Sequence, residues 1–541
     1  MSDSNTMALK APASIKPPGA ESLVEYGSRR VIITLTAIVC ALLEIVDTTI
    51  VNVALPDMKG NLGATTSEIG WVITAYAIGN VIVVPMTSFL SQQFGRRNYF
   101  AASIALFTIC SFLCGNASGI WELVIFRFLQ GLGGGALLVT SQTLITESYP
   151  PEKRSMAQAI YGLGVIVGPT LGPPLGGYIT YHASWPYIFY INIPLGIIAC
   201  LLTLQFVRSP KYKEKSSASD IDWLGIALLA MCVGSLQYVL EKGQEEDWFS
   251  NSTITFLAVV SLFSAFFFFW RQLTFRNPVV HLGVLRNGNL RVGTVLSFIL
   301  GFGLYGSTFI IPLYTQTILG WTPVQSGELL VPSALTTAFM MPMIGRILQK
   351  GAKQQYLVST GMLLFFFFCL WCYYILTPDT DQKAFFWPLI LRGFGMSLLF
   401  IPITTLSLSR LKGKQIGEGA AFTGMARQLG GSFGVALITT FMARRTVLHT
   451  SNLTNHLDMT NPNVQNRVYA MTQSFIAKGH PANIAKQEAY RALEGMVARQ
   501  SAVLSYMDVF LYIGIMFLIC IPFVLMVKAN RGQKIDMSAA H

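Results

Sequence analysis

Apolar residues run along this chain in stretches of about 20 with almost no charge, the length a helix needs to cross ~30 Å of hydrocarbon. The pattern predicts fourteen membrane-spanning helices, near residues 31–54, 70–91, 99–117, 121–146, 156–179, 187–207, 221–240, 252–272, 292–317, 324–348, 356–376, 385–408, 417–441 and 507–527. Short polar turns separate most of them. One gap, 442–506, is far longer and reads as a long loop. Soluble core helices do not repeat such runs across a whole chain, so the expected class is an all-α integral membrane protein.

An even number of spans places both termini on one side. With the N-terminus in the cytoplasm, most of the 38 Lys and Arg residues fall in inside loops and tails, among them Arg96, Arg97, Lys153, Arg154, Arg208, Arg271, Arg346, Lys350, Arg410, Lys412 and Lys414. The short outside loops hold only Lys59, Lys242 and Lys383. Cytoplasmic loops collect Lys and Arg, and long translocated loops such as 442–506 escape that rule. Both termini are therefore expected inside.

An internal repeat divides the chain. Pro85-Met86-Thr87-Ser88 after the second span is echoed by Pro342-Met343-Ile344-Gly345 after the tenth, and Arg127 with Gly131 by Arg392 with Gly395. Transporters commonly carry such repeats. Two six-helix halves, 31–207 and 286–541, follow a tail at 1–30. Residues 208–285 form a linker with two extra spans, and 442–506 lies outside within the second half.

Composition narrows the function. Of 541 residues, 52% are hydrophobic and 12% charged, about half the charge of a soluble protein. The net charge of +12 reflects cytoplasmic loops rather than a nucleic-acid partner. No G-x-x-x-x-G-K-[ST] phosphate loop occurs, which argues against an ATP-driven pump in this chain. The eight cysteines all lie in apolar runs, and the Cys369–Cys372 pair has no second pair or nearby His to make a metal site. The six histidines are scattered over loops and the tail. No catalytic group and no metal site is expected; the chain does not read as an enzyme.

Ionisable groups inside a span cost roughly 2.5–3.5 kcal/mol each, so they mark function first. Glu44, Asp47, Arg127, Arg392 and Arg427 lie well inside spans. Glu44 and Asp47 are three apart and share a helix face. Two such carboxylates resist simultaneous ionisation, so one can load a proton on one side and release it on the other. A carboxylate locked permanently to Arg127 is the competing reading. Arg127 stays charged and must meet a carboxylate, carbonyl or water. Gly164, Gly168, Gly172 and Gly176 recur every four residues in the fifth span, beside Pro169, Pro173 and Pro174. That stripe permits close helix approach and is expected at the contact between the halves.

These residues carry a resemblance. Val46-Asp47-Thr48-Thr49-Ile50-Val51-Asn52 in the first span, Trp71 to Tyr76 in the second, Leu123 to Gly135 in the fourth, Gly164 to Gly177 in the fifth and Phe189 to Gly196 in the sixth resemble the motifs of the 14-helix drug:proton antiporters of the major facilitator superfamily, the EmrB/QacA type. The resemblance implies the major facilitator fold, two six-helix halves plus an extra helix pair. It implies proton coupling at the fourth-span motif with Arg127, which Asp47 of the first-span signature joins, and an antiporter motif of Gly164, Gly168, Pro169, Gly172, Gly176 and Gly177; Glu44 lies outside the family's signature and is a proton-coupling candidate from its place beside Asp47. Glu44, Asp47, Asn52, Tyr76, Gln130, Met340 and Arg427 are the candidate substrate contacts, in a cavity between the halves. The gating loop is Gln92, Gly95, Arg96 and Arg97; there Ser88 and Gln92 replace the family's glycine and aspartate, which puts the usual charge clamp in doubt.

The implied activity is efflux of amphipathic drugs and toxic compounds across a bacterial inner membrane, driven by the proton gradient without a bound cofactor. The alternative is proton-coupled transport of a specific metabolite or siderophore. The segment 442–506 resembles that of Gram-negative members, which implies a periplasmic adaptor and an outer-membrane channel as partners.

Overall fold

The computed structural model describes residues 23–209, 221–275, 277–458 and 460–526; residues 1–22 of the expected tail lie outside them. The described residues are helical, with no strand among them. The first half contains α1 (Gly27–Asn61), α2 (Thr66–Phe94), α3 (Arg96–Gly115), α4 (Ile120–Ser148) and α5 (Arg154–His182), with α6 (Tyr187–Tyr190) and α7 (Asn192–Phe206) forming the sixth span. The extra pair is α8 (Trp223–Lys242) and α9 (Ser252–Thr274). The second half contains α10 (Gly288–Thr317), α11 (Pro323–Leu329) and α12 (Val331–Gln349) as the tenth span, α13 (Gln354–Ile375), α14 (Phe386–Leu408), α15 (Lys414–Asn455), α16 (Pro462–Ala477) and α17 (Ala482–Met526).

Local chemistry fixes the ends. Thr65 and Glu68 close a capping box at the start of α2, satisfying backbone donors that a helix start leaves orphaned. Gly95 turns the chain from α2 into α3 at φ +82°, a conformation glycine adopts without strain. Asp222 caps α8 through the Gly225 amide and meets Arg271 at 2.5 Å, tying together the two helices of the extra pair.

Thirteen helices among the described residues are long and apolar enough to cross a membrane. The remaining expected span, 417–441, belongs to α15, which is less apolar than the others. Glu418, Arg427 and several glycines dilute its apolar character, yet it packs in the bundle against α10, α17 and α2. The expected long loop 442–506 is instead largely helical. α15 continues to Asn455, α16 folds back on α17, and α17 begins at Ala482. Its charged and apolar residues are interleaved, so apolar run length missed helices that leave the bilayer.

The halves touch at both ends of α5. At one end, a Cβ added to Gly345 would lie 3.2 Å from the Ala159 side chain, and one on Gly417 3.2 Å from Ser88 Oγ. At the other, a Cβ on Gly327 would lie 2.6 Å from Pro174 and one on Gly177 2.4 Å from Val324.

The glycine stripe is not at that contact, contrary to the expectation. Gly164, Gly168, Gly172 and Gly176 face α1 within the same half: a Cβ on Gly168 would meet Ile45 at 2.6 Å and one on Gly172 would meet Thr49 Oγ1 at 1.9 Å. The opposite face of α5 carries Gly162, Pro173, Pro174 and Gly177 to the second half. A four-residue repeat marks a close helix neighbour but does not say which one.

Candidate functional site

Asp47 is fully buried, which is tolerable for a carboxylate only with dense compensation. Arg127 Nη1 lies 2.6 Å from Asp47 Oδ2. Asp47 Oδ1 accepts from Gln130 Nε2 at 3.0 Å and Asn192 Nδ2 at 2.9 Å. Gln130 also donates to Ser111 Oγ at 2.8 Å and accepts from Arg127 at 2.8 Å. Arg127 Nε donates to the Val72 carbonyl at 3.2 Å, and its guanidinium sits 4.1 Å from the centre of the Tyr76 ring. This knot joins α1, α2, α3, α4 and α7. Every contact lies within the first half.

Glu44, one turn earlier on α1, is 4% exposed and belongs to a second cluster. Its Oε1 accepts from Asn80 Nδ2 at 2.8 Å. Among the described residues, Asn80 Oδ1 and the Tyr76 hydroxyl have no hydrogen-bond partner. Gly134, without a side chain, leaves room for both: a Cβ there would lie 2.6 Å from Tyr76 Oη. Across the interface, Arg427 of α15 is 3% exposed, and its Nη1 also lacks a partner. Its guanidinium lies 5.3 Å from the Phe400 ring, and it is within electrostatic reach of Glu44. Tyr161 of α5, fully buried, stacks 6.3 Å from Phe400. Buried polar atoms without partners are rare because each costs about 1–3 kcal/mol. Among the described residues Tyr76 Oη, Asn80 Oδ1 and Arg427 Nη1 are three such atoms, all on residues within electrostatic reach of Glu44 or bonded to it.

The remaining candidates fall differently. Asn52 is exposed and stands apart from both clusters. Met340 is half-buried, whereas Met341 is fully buried with its methyl 2.9 Å from where a Gly162 Cβ would sit. Gln92 Nε2 donates to Ser88 Oγ at 3.1 Å, so the two residues that depart from the family pattern bond to each other. Arg96 forks onto Glu147 at the end of α4, with Nη2 to Oε1 at 3.1 Å. The Arg97 amide donates to Ser209 at 3.1 Å. Arg392, the repeat counterpart of Arg127, meets no carboxylate among the described residues. It donates to Ser307, Ser333 and Thr308 at 2.9, 3.0 and 2.7 Å.

Sequence reasoning missed Asn80, Ser111, Glu147 and Tyr161. Asn80 sits four residues from Tyr76 and so shares its helix face; that spacing was a usable signal. Glu147 falls at a span end, where a carboxylate costs little and attracts no notice.

A two-halved bundle of membrane-crossing helices with a buried ion pair inside its first half has the architecture of a membrane transporter. The chain belongs to the Major Facilitator Superfamily, whose sequence profile matches residues 37–435. It is 32% identical over 516 residues to the multidrug export protein EmrB of Escherichia coli (strain K12), covering 95% of this chain and 98% of that protein. It is 34% identical over 500 residues to the fatty acid resistance protein FarB of Neisseria gonorrhoeae, covering 92% and 96%. The proton:xylose symporter XylE superposes with a TM-score of 0.56 at 16% identity over 92% of this chain and 96% of that one, and the human organic anion transporter MFSD10 with 0.55 at 12% over 91% and 100%. Those two structural likenesses speak to the fold. The protein is a multi-pass membrane protein.

Proposed function

We propose that this chain exports amphipathic, largely apolar compounds across a bacterial inner membrane in exchange for protons, with both termini cytoplasmic and the proton gradient as its energy source. The observation that carries the reading is Asp47, a fully buried carboxylate held at 2.6 Å by Arg127. A proton on Asp47 removes the charge that holds Arg127. Arg127 retains Gln130 and the Val72 carbonyl as partners, so the α1–α4 tie loosens without leaving the guanidinium bare. α1 packs on the glycine stripe of α5, and α5 carries the contacts that close both ends. Protonation is thereby linked to opening.

Substrate occupies the space between the halves, where Glu44, Tyr76, Asn80 and Arg427 present polar groups beside Tyr161 and Phe400. The relatives named for multidrug export and fatty acid resistance support export over uptake of a nutrient. Residues 456–481, with the emerging ends of α15 and α17, form the surface we assign to a periplasmic adaptor and outer-membrane channel. The test is a growth-inhibition panel in an efflux-deficient host. Expression should raise tolerance to apolar toxicants, and a protonophore should abolish the gain; tolerance indifferent to the protonophore counts against proton exchange.

A further inference from the structure

A cavity of about 710 Å³ opens between the segment after α9 and the first turns of α15. Lys412 and Lys414 line it together with the amides Gln272 and Gln415. His281 and Glu418 also line it, with Nδ1 of the imidazole 3.3 Å from Oε1 of the carboxylate. The one acid is thus already engaged, and the two ammonium groups leave the cavity cationic. Its rim includes Leu273. From Leu273 an exposed apolar stripe continues along α9 through Trp270, Phe266 and Phe263, all more than half exposed. Steps of three and four residues keep them on one helix face, so the exposed stripe runs from the edge of the cavity along the outside of the bundle.

A cationic recess continuous with a lipid-facing apolar stripe has the chemistry of a phospholipid. We propose that the cavity binds the phosphate of an anionic phospholipid headgroup, with an acyl chain along the α9 stripe. Basic pockets beside membrane helices hold such headgroups. A free phosphate would use the lysines but not the stripe. The site touches the gate. Lys414, Gln415 and Glu418 lie on the first turns of α15, and Gly417 in the same stretch faces Ser88 of α2, one of the contacts that close this end. A bound lipid therefore steadies that contact.

The test uses the full chain in nanodiscs of phosphatidylcholine alone or mixed with phosphatidylglycerol. Lipid retained after delipidation is measured by mass spectrometry, and the thermal midpoint is read in parallel. Wild type should retain phosphatidylglycerol preferentially and melt later with it. K412Q/K414Q should bind it about 30-fold more weakly, from the surface attraction of two lysines, and lose the shift in midpoint. K350Q, at the end of α12 away from the cavity, should behave as wild type. Equal retention by K412Q/K414Q overturns the proposal. So does inorganic phosphate reproducing the shift in phosphatidylcholine alone, which would mark a free-anion site.

Discussion

Replacing Asp47 by Asn removes one charge and almost no volume. Arg127, 1% exposed, is left as a buried cation with no counter-ion, and the new amide nitrogen can face the guanidinium donor to donor. Breaking a buried pair on one side costs about 3–5 kcal/mol. The Oδ1 acceptor for Gln130 and Asn192 survives, so the lower end of that range is expected. The companion D47N/R127Q removes both charges and should recover much of the loss. Unfolding can be followed with a thiol-reactive dye, because all eight cysteines are buried or half-buried. Transport isolates the coupling role. For an uncharged substrate exchanged one-for-one, 100 mV supplies ~2.3 kcal/mol, roughly a 50-fold concentration ratio at 1.4 kcal/mol per decade. In inverted vesicles Asp47→Asn should take that ratio to unity while substrate equilibration down its own gradient persists. Retention of uphill transport by the purified variant would refute the role given to Asp47.

Glu44→Gln should narrow the substrate range toward neutral or anionic compounds; an unchanged profile for cationic compounds in the growth panel would take Glu44 out of the site. Arg392→Gln should keep most gradient-driven transport, because Ser307, Ser333 and Thr308 lose a donor but no carboxylate is orphaned; Arg127→Gln should not, and vesicle flux compares the two. Gly172→Ala places a methyl 1.9 Å from Thr49 Oγ1 and should destabilise by about 1–3 kcal/mol, read in the same dye assay. Replacing 456–481 by a short Gly-Ser turn should abolish resistance in intact cells yet leave vesicle transport intact, if that surface recruits an adaptor.

The bundle was legible because spanning a bilayer demands long uncharged runs, and thirteen helices satisfy that demand plainly. Asp47, Arg127 and Glu44 were legible because charge in such runs is costly. What eluded the sequence was pairing. Nothing in Ser111 or Asn192 says that they converge on Asp47 from other helices, and Glu147 stands far along the chain from Arg96. The glycine stripe announced a close neighbour but not that it was α1. The helical stretches within 442–506 were hidden because outside the bilayer a helix needs no apolar run.

The extra pair alters how the halves can part. α8 packs on both α2 and α15. Its larger contact is with α2, where a Gly234 Cβ position lies 3.5 Å from Ile78 and Ile82 and, at the far end, Lys242 Nζ lies 2.7 Å from a Gly70 Cβ position. Toward α15 its contact is smaller and partly polar: Gln237 meets Ser432 at 2.9 Å, and Trp248 in the turn after α8 donates from Nε1 to Thr440 at 3.1 Å, beside apolar packing that includes Phe422. Hydrogen bonds of this kind yield for about 0.5–1.5 kcal/mol each, less than peeling an apolar helix face. The hinge edge of the molecule therefore behaves like a book cover glued to one board and clasped to the other: it rides with the first half and unclasps from the second.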